Sequence, residues 1–158
     1  MLELKKQKPV EVFCDGSLHG KYGGYGIVMI FGEKVKEIES KAYFETTIAR
    51  MEMKAIIDSL ETISVGYGIY LYCDNKNIVD AINRTLSRWI ETGTLQNKQN
   101  HDLWVRFLQA KRKHIEGGSY MQFCWLRGHA GNKFNERADK LAKRAMIGGG
   151  KVKCLKNN

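Results

Sequence analysis

The sequence predicts one α/β domain in which helices pack on a mixed β-sheet. Three observations carry that expectation. Short apolar runs joined by glycine-rich turns open the chain, two more apolar runs lie near residues 69–73 and 120–126, and segments of helical periodicity separate them.

After a polar, basic start, Pro9 precedes the first strand, Val10-Glu11-Val12-Phe13-Cys14. Glycines at 16, 20, 23, 24 and 26 mark the turn into a second strand, residues 25–31, and Gly32-Glu33 turns it into a third, residues 34–44. Tight turns between adjacent strands predict an antiparallel meander. Thr46 or Thr47 caps a helix running to about residue 63, and Val65-Gly66-Tyr67-Gly68 ends it. Residues 69–73 are continuously apolar, as befits a strand covered on both faces. Asn75 caps a short helix over 78–84, and 89–100 is polar with aromatic punctuation. A longer helix over 102–115 breaks at Gly117-Gly118, a fifth strand covers 120–126, and a last helix over 134–146 ends at three glycines.

The 158 residues suit one domain able to bury a core without disulfides, with a hydrophobic share of 43%. Domain boundaries are expected at 1–9 for an N-terminal extension, 10–147 for the catalytic domain and 148–158 for a basic flexible tail. The net charge is +9, with seven Lys/Arg against three acids over 84–116 and nine against two over 127–158. Such a surface attracts polyanions. The four cysteines are far apart and form no CxxC pair, which suits a reducing compartment. No stretch reaches the roughly 18 apolar residues of a membrane span, and no signal-peptide core opens the chain. A soluble, cytoplasmic protein is expected, with no membrane partner.

Asp15 and Asp74 each follow an apolar strand, and ligands of such sheets bind beyond the carboxyl ends of strands. Each also reads as an ordinary turn or cap residue. Glu52 shares a helical stripe with Ile48, Ala55, Ile56, Ser59 and Ile63, so its carboxylate faces the sheet, where a bare charge is costly. Asp139 shares a stripe with Asn135, Ala138, Ala142 and Met146. His129 sits between glycines on a loop after the fifth strand, as a surface histidine or a mobile catalytic one. Carboxylates converging on one point repel one another unless a divalent cation joins them. Oxygen ligands suit Mg²⁺ or Mn²⁺, and the lack of paired Cys/His spacing argues against zinc.

The segments FCDGS (13–17), GGYGIV (23–28), RMEMKA (50–55), YCDN (72–75), DLW (102–104), RGHAG (127–131) and NERADKLA (135–142) stand in one order and spacing. Together they make the chain resemble the type I ribonuclease H family from Val10 to Met146. The resemblance implies a ribonuclease H-like fold, a five-stranded mixed sheet of order 3-2-1-4-5 with helices on both faces. It implies an endoribonuclease that cuts the RNA strand of an RNA–DNA hybrid by two-metal catalysis, leaving 5′-phosphate and 3′-hydroxyl ends. Asp15, Glu52, Asp74 and Asp139 would hold the metal, Mg²⁺ with Mn²⁺ as a substitute. His129 would assist proton transfer or product release. Gly16, Ser17, Thr47, Asn75 and Asn135 would meet the substrate, and a monomer is expected. The chain departs from the family in three places. The loop after Asp15 is about two residues shorter, Ile48 and Ala49 replace asparagines that approach the ribose 2′-hydroxyl, and the basic handle near 88–93 carries little charge. A nuclease for DNA or branched nucleic acid, a binding module without catalysis, and a domain processed from a larger polymerase are the competing readings.

Overall fold

The computed structural model describes residues 8–128 and 130–156, with side chains described up to residue 148. β1 (Val10–His19), β2 (Tyr22–Phe31), β3 (Lys34–Glu39) and β4 (Tyr43–Phe44) precede α1 (Ile48–Thr62). β5 (Gly68–Cys73), α2 (Lys76–Asp80), α3 (Leu86–Glu91), α4 (His101–Glu116), β6 (Tyr120–Trp125) and α5 (Lys133–Lys156) follow. The sheet order is β3-β2-β1-β5-β6, with β4 paired to β2. β1 to β4 pair antiparallel, whereas β1, β5 and β6 run parallel. This is the expected order once the predicted third strand is seen to break in two. The break is made at Ser40, whose hydroxyl accepts the Tyr25 N–H at 2.8 Å, the place a strand carbonyl would take.

Helices cover both faces. Val12, Cys14, Ile27, Ile69 and Leu71 join Met53, Ile56, Ile57 and Leu60 of α1 and Phe107 of α4 in the larger core. Phe13 and Val28, of opposite parity along their strands, meet Ala138 and Leu141 of α5. The expected caps are present: the Thr47 side chain accepts from Arg50 N, and the Asn75 side chain from Ile78 N. Beyond α2 the helix does not stop at residue 84 but passes through a π-turn (Ala81–Thr85) into α3. Trp89 of α3 then packs edge-on against Trp104 of α4, 5.9 Å between centroids. The last helix was expected to end at Gly148-Gly149-Gly150, and instead runs on to Lys156. Glycine disfavours a helix by about 1 kcal/mol against alanine but, unlike proline, deletes no hydrogen bond, so it does not oblige a helix to stop.

His114, 2% exposed at the end of α4, ties α1 to the turns at Gly66 and Ser119. Its Nε2 lies 2.6 Å from the Leu60 carbonyl, which only accepts, so Nε2 carries the proton. Nδ1 therefore accepts from the Ser119 hydroxyl at 2.8 Å, and Ser119 Oγ accepts from the Gly66 N–H. Replacing His114 by alanine leaves the carbonyl unpaired beside a cavity. The expected loss is about 2–4 kcal/mol, read as a lower urea midpoint, with His114→Gln keeping part of it. An unchanged midpoint would mean that this chain of bonds does not stabilise the fold.

Candidate metal centre

The parallel pairing of β1 with β5 ends at Cys14 opposite Cys73. Asp15 and Asp74 are the next residues on each strand, so both carboxylates arise at one level of the sheet. Asp15 is not at the end of its strand, as the sequence suggests. β1 runs four residues further, paired to β2 as far as His19 opposite Tyr22. The Gly16 N–H donates to Asp15 Oδ1 at 2.9 Å.

Glu52 comes from α1 and is 5% exposed. Its helix approaches because position 16 has no side chain: a Cβ there would lie 3.0 Å from the Glu52 nitrogen. Asp139 comes from α5 on the other face, near enough for its charge to raise the Asp15 carboxyl. The Lys143 ammonium, one turn on, lies 2.8 Å from Asp139 Oδ2. The Trp125 indole donates to the Asp74 carbonyl at 3.0 Å, tying β6 to the same strand end.

The electrostatics follow from crowding. Burial, then the charges of Asp74 and Asp139, push the Asp15 carboxyl up to about 8, against the opposing hydrogen bond from Gly16. Burial, followed by Asp15 and Asp74, pushes Glu52 well above the usual carboxylate range. Four acids from two strands and two helices thus face one another at a cost in repulsion that a divalent cation would relieve. The donor set is oxygen-rich and hard, which fits Mg²⁺ or Mn²⁺.

Ligand atoms of Glu52, Cys73 and Asp74 lie within 4.8 Å of one another. The thiol is better read as a support than as a ligand. Burial raises it well above its ordinary range, so it stays protonated, and Sγ donates to Glu52 Oε2 at 3.4 Å. Its place in an apolar run gives this cysteine the look of a small hydrophobe in the sequence. Its part depends on where α1 lands, for which the sequence holds no local signal. Lys143 was also overlooked, although its spacing of four from Asp139 on a helix was legible.

The remaining predicted residues divide. Gly16 is buried against α1, and Ser17 is half-buried with Oγ 3.5 Å from Met146 Sδ. Thr47 is exposed and Asn75 half-buried, and each caps a helix. Asn135, one turn before Asp139, is 5% exposed, and its Oδ1 has no hydrogen-bond partner among the described residues. His129 lies outside the described residues. Its neighbour Gly128 lies close to Asp74, where a Cβ would be 3.1 Å from Oδ2.

Residues 7–147 match the RNase H family model. A protein named Ribonuclease H from Syntrophus aciditrophicus is 40% identical over 146 residues, covering 88% of this chain and 81% of that one. Its namesake from Trichodesmium erythraeum is 38% identical over 148 residues, covering 89% and 90%. Among solved structures, LC9-RNase H1, described as a type 1 RNase H with the type 2 active-site motif, superposes with a TM-score of 0.74 at 25% identity, covering 89% of this chain and 74% of that one.

Proposed function

Because this chain belongs to the ribonuclease H family, we propose that Asp15, Glu52, Asp74 and Asp139 form its metal-binding active site. The enzyme is an endoribonuclease that hydrolyses the RNA strand of RNA–DNA hybrids, giving 5′-phosphate and 3′-hydroxyl ends. The observation that carries the site assignment is the convergence of four acids where the parallel pairing ends, with Asp15 raised to about 8 by burial and then by the charges of Asp74 and Asp139. Bound divalent cations, Mg²⁺ with Mn²⁺ as a substitute, supply an activated water and charge neutralisation at the leaving oxygen.

The chain's own groups do the rest. The four carboxylates would hold those ions. Cys73 keeps Glu52 oriented, and the Gly16 N–H does the same for Asp15. Gly16, Ser17, Thr47, Asn75 and Asn135 ring the acids as substrate contacts. His129 assists proton transfer or product release. His129→Ala is therefore expected to slow turnover by about 10- to 100-fold without abolishing it, the size of a general acid–base contribution. Complete loss in initial-rate assays would contradict an assisting role.

The catalytic domain spans 10–147, with short extensions on either side, and works as a cytoplasmic monomer. Among the described residues no helix is long and apolar enough to cross a membrane. A second reading, a nuclease for DNA or branched substrates, is motivated by Ile48, apolar and 42% exposed at the start of α1. Four labelled duplexes in Mg²⁺ separate the two: RNA–DNA, DNA–DNA, RNA–RNA, and DNA with a single ribonucleotide. Cutting of the RNA strand in the hybrid alone supports the first reading, whereas equal cutting of DNA–DNA favours the second.

A further inference from the structure

Beyond Asp15, β1 carries a surface that the four acids do not use. Side chains alternate along a strand, so Asp15, Ser17 and His19 share one face. His19 is paired with Tyr22, and Tyr22 with Phe44. His19 thus lies roughly 14 Å along β1 from Asp15 on the same face, at ~3.4 Å per residue, and Phe44, two strands across at ~4.8 Å each, roughly 17 Å from it. That is about five nucleotides along one strand of a duplex, at ~3.4 Å each.

The row has an unusual composition for a solvent-facing sheet end. Phe44 is 55% exposed, and its ring lies 5.2 Å from that of Tyr22, tilted by 49°. The Lys21 ammonium sits 5.9 Å from the Phe44 centroid. Tyr43, next along β4, points to the opposite face, so Lys21 is the cation that the row itself carries.

We propose that Phe44, backed by Tyr22 and Lys21, is a stacking subsite for one unpaired nucleobase, so that the enzyme favours hybrids ending in a single-stranded extension over blunt ones. The chemistry is that of single-strand binding: an exposed aromatic face takes any base, and the lysine beside it meets the backbone phosphates. A duplex interior offers no free base face at this distance, whereas an extension running past the hybrid end does. Continuity with the carboxylate face and the excess of cations both favour a nucleic acid as the occupant. The inference rests on the nuclease reading above.

The test compares a blunt RNA–DNA hybrid with hybrids carrying a short 5′ or 3′ extension on either strand. 2-Aminopurine is placed in turn at each extension position, and EDTA prevents cleavage. At least one extension should bind about tenfold tighter than the blunt end, a ratio within the range of one base–aromatic stack, and quench 2-aminopurine at one position. Phe44→Ala should remove both the gain and the quench, Phe44→Trp should keep them, and blunt-hybrid binding and Mg²⁺-dependent cleavage should be unchanged in both. Should the alanine variant unfold, Phe44→Leu, which keeps bulk but loses the π-face, decides the same question. Equal wild-type affinity for blunt and extended hybrids, or an equal loss on both with Phe44→Ala, overturns the subsite. Failure of the wild type to cut the blunt hybrid would instead overturn the nuclease reading.

Discussion

Asp15→Asn is expected to lower Mg²⁺-dependent cleavage by about a thousandfold or more while making the metal-free protein more stable at alkaline pH. The loss follows from removing one ligand of a site whose ions supply several kcal/mol of transition-state stabilisation. The gain follows from proton linkage. The Asp15 carboxyl titrates near 8 in the folded chain, against roughly 3.9 when unfolded. The folded state therefore holds the extra proton, and stability falls as pH rises through that interval. Below about pH 4 both states are protonated and the acid costs nothing by this route. Above about pH 8 the full cost of a buried carboxylate among its neighbours is present. Asparagine carries no such charge. In EDTA at pH 8 the variant should be more stable by about 2–4 kcal/mol, converging with wild type near pH 4. Mg²⁺ should raise the wild-type melting temperature and leave that of the variant nearly unmoved. Parallel pH profiles for the two proteins would show that Asp15 does not carry the strain.

Gly26→Ala should be nearly as damaging, from a position that carries no chemistry. A Cβ at residue 26 would lie 2.4 Å from the Ala138 carbonyl, 2.5 Å from Leu141 Cβ and 2.8 Å from the Ala142 nitrogen. Two of these three are backbone atoms of α5, so no side chain can swing away. Gly24 meets the same helix further along, at Ala145 and Met146. One methyl group must push α5 off the sheet, and Asp139 adjoins the residue it strikes. Overpacking of this kind costs about 3 kcal/mol, and a shift of about 1 Å in a catalytic group is worth roughly a hundredfold in rate. The urea midpoint and the initial rate at saturating Mg²⁺ should fall together, the rate by more than the unfolded fraction explains. A folded variant cutting at the wild-type rate would show that this contact does not set the position of Asp139.

Much of the architecture was legible in the chain because local signals encode it. The apolar runs and glycine turns announced β1 and β2, and Thr47 and Asn75 announced the starts of α1 and α2 through the hydrogen bonds they make. Helical stripes singled out Glu52 and Asp139 as inward-facing acids before any contact was known. The misjudged boundaries have particular causes. Ser40 substitutes a side-chain acceptor for a strand carbonyl, and the π-turn carries α2 into α3 where no breaker stands.

The sequence by itself determined which acids face inward, because periodicity and capping depend on residues a few positions apart. It could not say that those acids meet. That depends on the register that ends the β1–β5 pairing at Cys14 and Cys73, and on the absence of side chains at Gly16, Gly24 and Gly26, which lets α1 and α5 approach the sheet. It also depends on Cys73 reaching Glu52 across two elements. These are long-range distances, set by how whole faces pack, and only the tertiary structure decides them.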